Sequence, residues 1–274
     1  MTPPFADKSA LITGASAGLG EEFAVQLADR GIGRLVIVAR RLDRLESLRK
    51  RLLAAHPALQ IEMQAVDLGN ENAVTELIRD LQPPDILINN AGLGDLGMLE
   101  SSEPAKIEQM LAVNVVALTR LTQWAVPAML RRHRGWICNV GSTAGMLPLP
   151  SFAVYGGTKA YVNSFTEALR AELHGSGVSV LALCPGPVET EFGQVASRPT
   201  GHRRFAPPGF LCVPKERVVR ETLDAMERGQ GRIIPGLPVR FGMLFMESFP
   251  RWILRCVFNL TSGQFRRERA ERKP

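Results

Sequence analysis

The 274-residue chain contains no run of about 18 uncharged apolar residues, the length a helix needs to cross a bilayer. Its first residues, MTPPFADKSALITG, lack a basic stretch followed by a long apolar core, so no secretory signal is expected. Cysteine is scarce: Cys138, Cys184, Cys212 and Cys256 stand far apart, with no CxxC pair and no histidine at ligand spacing. That excludes a disulfide or zinc framework and reads as free thiols in a reducing compartment, here the cytoplasm. His56, His133, His174 and His202 are isolated from one another, so no metal site is expected. Acidic residues are outnumbered, giving a net charge of +6 and a pI near 9.5. The basic residues are nevertheless spread along the chain, apart from 131–134 and the tail 266–273. Nucleic-acid binding would rest on pI alone and is not expected.

What is present is a large supply of core. Hydrophobic residues make up 45% of the chain and charged ones 22%, which excludes global disorder and suits one α/β unit. The apolar run Ser9–Thr13 leads at once into Gly14, Ser16, Gly18, Leu19 and Gly20, then into a helical pattern over 21–30. In a strand–loop–helix context Gly14 permits a tight turn, Gly18 lets backbone approach a pyrophosphate, and Gly20 lets helix and strand pack closely. The next strand, Arg34–Ala39, ends in Arg40 and Arg41 with no acid. An acid there would bond a ribose 2′-hydroxyl and an arginine accommodates a 2′-phosphate, so the pair points to NADP(H) over NAD(H). The alternative is that both arginines simply begin a solvated helix over 41–55. Strands at 60–66 and 85–88, with a helix at 71–81 between them, predict right-handed βαβ crossovers and a parallel sheet.

Residues 142–159, STAGMLPLPSFAVYGGTK, concentrate the chemistry. Tyr155 and Lys159 are four apart at the start of a helix that continues through 160–173, so they share a face. A tyrosine with its ordinary pKa near ~10 is a poor acid–base group at neutral pH; a nearby ammonium would pull that pKa down. Ser142, just past the strand Gly135–Val140, could hold a carbonyl oxygen. The plainer alternative is an ordinary helix pair beside a turn serine.

TGASAGLG at 13–20, Asp67, NNAG at 89–92, Asn114, Ser142, YGGTK at 155–159 and PGPVET at 185–190 occur in one series. In order and spacing it resembles the short-chain dehydrogenase/reductase family over roughly residues 5–190. The resemblance implies that Gly14, Ser16, Gly18, Leu19 and Gly20 line a diphosphate, and that Asp67 and Leu68 touch adenine. Asn90, Ala91 and Gly92 would support the adenosine side. Asn114, in a helix at 107–126, would hold a water of a proton relay. Ser142 would bond the substrate oxygen and Tyr155 would pass it a proton. Lys159 would bind the nicotinamide ribose and lower the Tyr155 pKa, and Pro185, Gly186, Val188 and Thr190 would hold the nicotinamide. Residue 17, often basic in NADP-preferring members, is Ala17, which leaves the 2′-phosphate to Arg40 and Arg41.

The expected architecture is a single doubly wound Rossmann-type parallel sheet of about seven strands over 1–236, with later strands at 177–183 and 232–234 and a helix at Lys215–Glu227. Residues 186–214 would hold the substrate lid, its irregular part at 192–214, and 237–274 an apolar or amphipathic extension with a basic tail. Between 238 and 260 that extension is rich in Phe, Met, Leu and Trp. Three readings stay open for it: a cap on the substrate pocket or a subunit interface, a membrane-surface contact, or plain core. The expected function is NADP(H)-dependent interconversion of a ketone or aldehyde and an alcohol on an apolar or lipid-like substrate, in a homodimer or homotetramer. A non-catalytic NADP(H)-binding regulatory protein of the same fold is the alternative.

Overall fold

The inner strands follow from short apolar runs buried on both faces, as a helix-covered parallel sheet requires, whereas the edge strands Gln60–Ala65 and Arg232–Ile233 are only partly buried. In the computed structural model, residues 4–197 and 209–250 are described, together with 252, 253, 256 and 259. Residues 198–208 of the expected lid and the basic tail at 266–273 lie outside the described residues. Strands β1 (Ser9–Thr13), β2 (Arg34–Ala39), β3 (Gln60–Ala65), β4 (Ile86–Asn89), β5 (Gly135–Val140), β6 (Val178–Leu183) and β7 (Arg232–Ile233) form one sheet in the order β3-β2-β1-β4-β5-β6-β7. All neighbouring pairs are parallel. The strand order reverses direction between β1 and β4, and the crevice at that switch point, beyond the carboxyl ends, is where open sheets bind ligands.

The helices are α1 (Gly18–Asp29), α2 (Leu42–Ala55), α3 (Glu71–Asp80), α4 (Pro104–Leu111), α5 (Leu118–Arg131), α6 (Ala153–Glu172), α7 (Phe192–Ala196), α8 (Lys215–Glu227) and α9 (Leu237–Ser248). They cover both sheet faces and close two hydrophobic clusters, one around Phe23, Leu27, Ile37 and Leu183, the other around Leu11, Val36, Leu87 and Val180. Among the described residues, no helix is long and apolar enough to cross a membrane.

Several boundaries depart from the sequence pattern, most by a single residue. Helix α1 begins at Gly18 instead of 21, because the glycines themselves form its first turn. The helix expected at 107–126 starts at Pro104, favoured at a first helical position, and extends to Arg131 through a π-helical segment, Ala112–Ala117. The last strand is one residue shorter than 232–234. Among the described residues of the expected lid, α7 occupies 192–196 and Val213 bridges to Val188.

A ladder of buried amides and hydroxyls runs beneath the site. Asn89 on β4 donates to Thr122 of α5 and to Asn139 of β5, and Asn139 donates to Thr166 of α6, at 2.9–3.0 Å. Such bonds locate both helices against the sheet, which apolar packing alone does not orient.

Candidate active site

The carboxyl end of β1 is tied to that of β4. The Thr13 hydroxyl accepts from the backbone N–H of Asn90 and of Ala91, each at 3.0 Å. The Asn90 amide donates back to the Thr13 and Gly14 carbonyls at 2.9 and 3.3 Å. Gly14 sits at φ +69°, where a Cβ would come within 2.9 Å of the Ala91 Cα, and at Gly20 a Cβ would run into the Gly14 carbonyl oxygen. Ala17, preceding α1, supplies no side-chain cap, so the first-turn N–H groups keep their capacity for an anion. Leu19 packs on the core, and Gly18 faces Thr190, whose Cγ2 would lie 3.2 Å from an added Cβ. A Cβ-free cradle, an uncapped helix start and an opposing loop fit the diphosphate of a dinucleotide.

At the ends of β2 and β3, Arg40 and Arg41 are exposed, and Arg41 donates to the Ser16 hydroxyl at 3.3 Å. The Asp67 carboxylate accepts from the Gly69 N–H at 2.9 Å. Leu68 turns its side chain into the core, so of these two residues Asp67 is the one that offers a polar side chain. On the opposite side of the groove, the Pro185 carbonyl accepts from the Thr143 N–H at 3.0 Å. Gly186 lies against Val239 of α9, so closely that a Cβ would come within 2.7 Å of it.

Ser142, Tyr155, Lys159 and Asn114 converge between these two loops. Ser142 follows β5 and caps a short turn by accepting from the Ala144 N–H at 3.0 Å. Its hydroxyl faces the Tyr155 phenol closely enough to act on that group's pKa. Gly145 permits this: it abuts the α6 backbone at Lys159 and Ala160, leaving no room for a Cβ. The Tyr155 ring lies between Phe152 and Phe192, with centroids 5.7 and 5.3 Å away. The Lys159 ammonium donates to the Val140 carbonyl at 2.7 Å and stands 5.9 Å from the Tyr155 ring centroid. At Gly92 an added Cβ would come within 3.3 Å of Lys159 Nζ and 3.5 Å of Asn114 Oδ1, so the missing side chain leaves these two groups a shared space. The π-helical turn directs Asn114 inward, where it accepts from Leu93 N–H at 2.8 Å and donates to the Leu93 carbonyl at 2.9 Å and to Thr158 at 3.0 Å.

The electrostatics differ from expectation at one point. Burial pushes the Tyr155 phenol up to about 12, with the Ser142 hydroxyl pulling the other way. Burial also lowers Lys159 to about 8. The ammonium is engaged by the Val140 carbonyl and burial dominates at the phenol, so the protein alone does not depress the tyrosine. Tyr155 is held as a neutral proton donor at pH 7.

Residues 8–200 match the short chain dehydrogenase family. This chain belongs to that family. It is 32% identical over 258 residues to a very-long-chain 3-oxoacyl-CoA reductase of Aspergillus terreus, covering 90% of this chain and 68% of that protein. To the NADP-dependent 3-hydroxy acid dehydrogenase YdfG of Salmonella typhi it is 38% identical over 193 residues, 68% of this chain and 75% of the relative. Among solved structures, a short-chain dehydrogenase from Sphingobium yanoikuyae in complex with NADPH aligns with a TM-score of 0.77 at 31% identity, over 89% of this chain and 96% of that one. The protein is thus an oxidoreductase acting on CH–OH groups, and these likenesses support NADP(H) as its cofactor.

Several residues of this candidate site are not singled out by the sequence pattern. Thr158 bonds Asn114, and Asn163 donates to the Ser142 carbonyl at 3.0 Å. Both lie on α6 at one-turn intervals from Tyr155 and Lys159, a spacing that could have flagged them. Phe192 was assigned to the lid but not to the tyrosine it touches, and no local signal links residues 37 positions apart.

Proposed function

We propose that the protein reduces a ketone on an apolar chain to the secondary alcohol with NADPH, through Ser142, Tyr155, Lys159 and Asn114. The observation that carries this reading is the buried Tyr155 hydroxyl, faced by Ser142 and kept protonated, at the mouth of a dinucleotide groove. The bound cofactor supplies the hydride. Ser142 holds the carbonyl oxygen, and Tyr155 gives that oxygen its proton as the carbon gains the hydride. Lys159 and Asn114, facing each other across Gly92, return a proton to the phenolate side. Glycines 14, 18 and 20 with Ser16 and Leu19 hold the diphosphate, Asp67, Leu68, Asn90, Ala91 and Gly92 the adenosine side, and Pro185, Gly186, Val188 and Thr190 the nicotinamide. Phe152 and Phe192 beside the tyrosine, with Met146 and Leu147 half-buried nearby, support an apolar substrate. The relatives named for 3-oxoacyl and 3-hydroxy acid chemistry agree with it. NADPH oxidation against a panel of ketones of rising chain length tests the reading: turnover should increase with chain length, whereas binding without turnover across the panel favours the regulatory alternative.

Arg40 and Arg41 are the proposed 2′-phosphate seat. Replacing both with alanine should raise the Kd for NADPH by about 10- to 100-fold, as for loss of one or two charge-assisted bonds, and leave NADH within about twofold. Fluorescence titration checks it; an equal loss for both nucleotides removes the assignment.

Helix α9 supports a contact with a membrane surface. Its inner face, Val239 and Met243, is buried, while Leu237, Phe241, Leu244 and Phe245 are exposed, so the plain-core alternative does not describe its outer face. Residues 237–274 hold eight of the 33 Lys and Arg and three of the 27 Asp and Glu, a net of +5 against +6 for the whole chain. An apolar stripe beside concentrated positive charge suits an anionic bilayer. Vesicles containing about a third phosphatidylglycerol should sediment the protein, pure phosphatidylcholine should not, and Phe241→Asp with Phe245→Asp should abolish the retention. A changed oligomeric state in that variant would instead make the face a subunit interface. A homodimer or homotetramer has separate support in Leu111, Val116 and Tyr161, exposed on the helical run 104–131 and on α6. Cytoplasmic location, the remaining part of the reading, accords with the four free cysteines.

A further inference from the structure

The loop after β6 does more than face the glycine cradle. One residue beyond Thr190, Glu191 reaches back across the groove to the end of β2. One of its carboxylate oxygens accepts from both terminal nitrogens of Arg41, each at 3.1 Å. The other oxygen lies 3.8 Å from Arg44. The same Arg41 nitrogen that meets Glu191 also donates to Ser16 of the glycine loop, at 3.3 Å. Three segments thus share one guanidinium, and the carboxylate occupies both of the terminal nitrogens that a phosphate would use.

We infer that Glu191 is a specificity residue that competes with the 2′-phosphate of NADP(H) for Arg41, and is displaced from the guanidinium when the phosphorylated nucleotide binds. This rests on the reading of Arg40 and Arg41 as the 2′-phosphate seat. A phosphate monoester carries about −1.5 to −2 charges at neutral pH, and next to an ionised Glu191 it meets like-charge repulsion. A single guanidinium fork cannot serve both anions bidentately. NADH has no 2′-phosphate, so its binding leaves the Arg41–Glu191 pair in place. Glu191 therefore penalises NADPH selectively. All three side chains are about half exposed, and exposed ion pairs contribute modestly, so the effect is a few-fold and not orders of magnitude. The displacement also has a structural reach. Glu191 immediately precedes α7, whose Phe192 packs on the Tyr155 ring. Release of the carboxylate thus removes one tie from that segment, which stays held at Leu96 by its Ala196 carbonyl.

The test is equilibrium titration of the full chain with NADPH, NADH and 2′,5′-ADP at low salt, in wild type and Glu191→Gln. The substitution should tighten NADPH and 2′,5′-ADP by about two- to fivefold and leave NADH unchanged. The gain should shrink as salt rises and vanish when Arg41→Ala and Arg44→Ala are also present. Unchanged or weaker NADPH binding in Glu191→Gln overturns the competition, as does a gain that survives removal of both arginines. Arg41→Ala alone separates this failure from failure of the seat. If it weakens NADPH relative to NADH while Glu191→Gln does nothing, the seat stands and the competition falls; if it leaves that ratio unchanged, both fall.

Discussion

Tyr155→Phe is expected to lower kcat by about 10²–10⁴-fold, the range for loss of a positioned proton donor, and to leave the Kd for NADPH within about threefold. The ring contacts to Phe152 and Phe192 do not involve the hydroxyl and survive the change. What is lost is the phenol's polar contact with Ser142, a stability change of at most about 1 kcal/mol. Ser142→Ala provides the counterpart. It removes the same contact and also the cap on the Ala144 N–H, so it should destabilise the fold more. Were both residues merely structural, the serine variant would be the more damaged in every assay. With Tyr155 as the donor, activity and stability rank the two variants in opposite orders. Rate measurements with saturating NADPH, beside urea unfolding of each variant, read both rankings. A Tyr155→Phe protein retaining most of its turnover would remove the mechanism.

How far such a site can be read from sequence depends on how local its determinants are. The glycine loop was legible because turn, backbone approach and helix start are all properties of neighbouring residues. The sheet was legible because doubly buried strands need unbroken apolar runs, as in Leu35–Val36–Ile37–Val38. Tyr155 and Lys159 were legible as a pair because one helical turn separates them. Asn114 was legible as a residue but not as a geometry: the π-helical turn that directs it to Leu93 leaves no periodic trace. The Arg41–Glu191 pair spans 150 positions and has no local signature at all. The direction of the Tyr155 pKa failed for a related reason. The spacing with Lys159 argued for a lowered value, but burial is a tertiary property, and here it outweighs a cation whose nitrogen is engaged at Val140.

Lys159 makes the sharpest pH-dependent prediction. Burial moves its pKa from the ordinary 10.5 to about 8, a bias of about 3 kcal/mol against the charged form. Below pH 8 the folded chain carries that cost in full. Between about 8 and 10.5 the unfolded chain binds more protons than the folded one, so stability rises with pH. Tyr155 acts in the opposite sense at higher pH: its folded pKa of about 12 exceeds the ordinary 10, so the folded chain keeps a proton the unfolded chain sheds, and stability falls from pH 10 to 12. Lys159→Met keeps most of the side-chain volume, removes the buried charge, and forfeits the hydrogen bond to the Val140 carbonyl, worth about 1–2 kcal/mol. The variant should therefore be about 1–2 kcal/mol more stable than wild type at pH 7. Near pH 10, where the folded lysine is neutral yet still bonded to Val140, it should be the less stable of the two. Urea unfolding at the two pH values tests the crossover, and a variant less stable than wild type at both would mean that burial of the charge carries no net cost. Its kcat/KM should fall by two orders of magnitude or more (about 3 kcal/mol) at the same pH 7 where it is more stable. A more stable protein with a failed reaction is the result a packing role for Lys159 cannot produce, because loss of packing lowers both together.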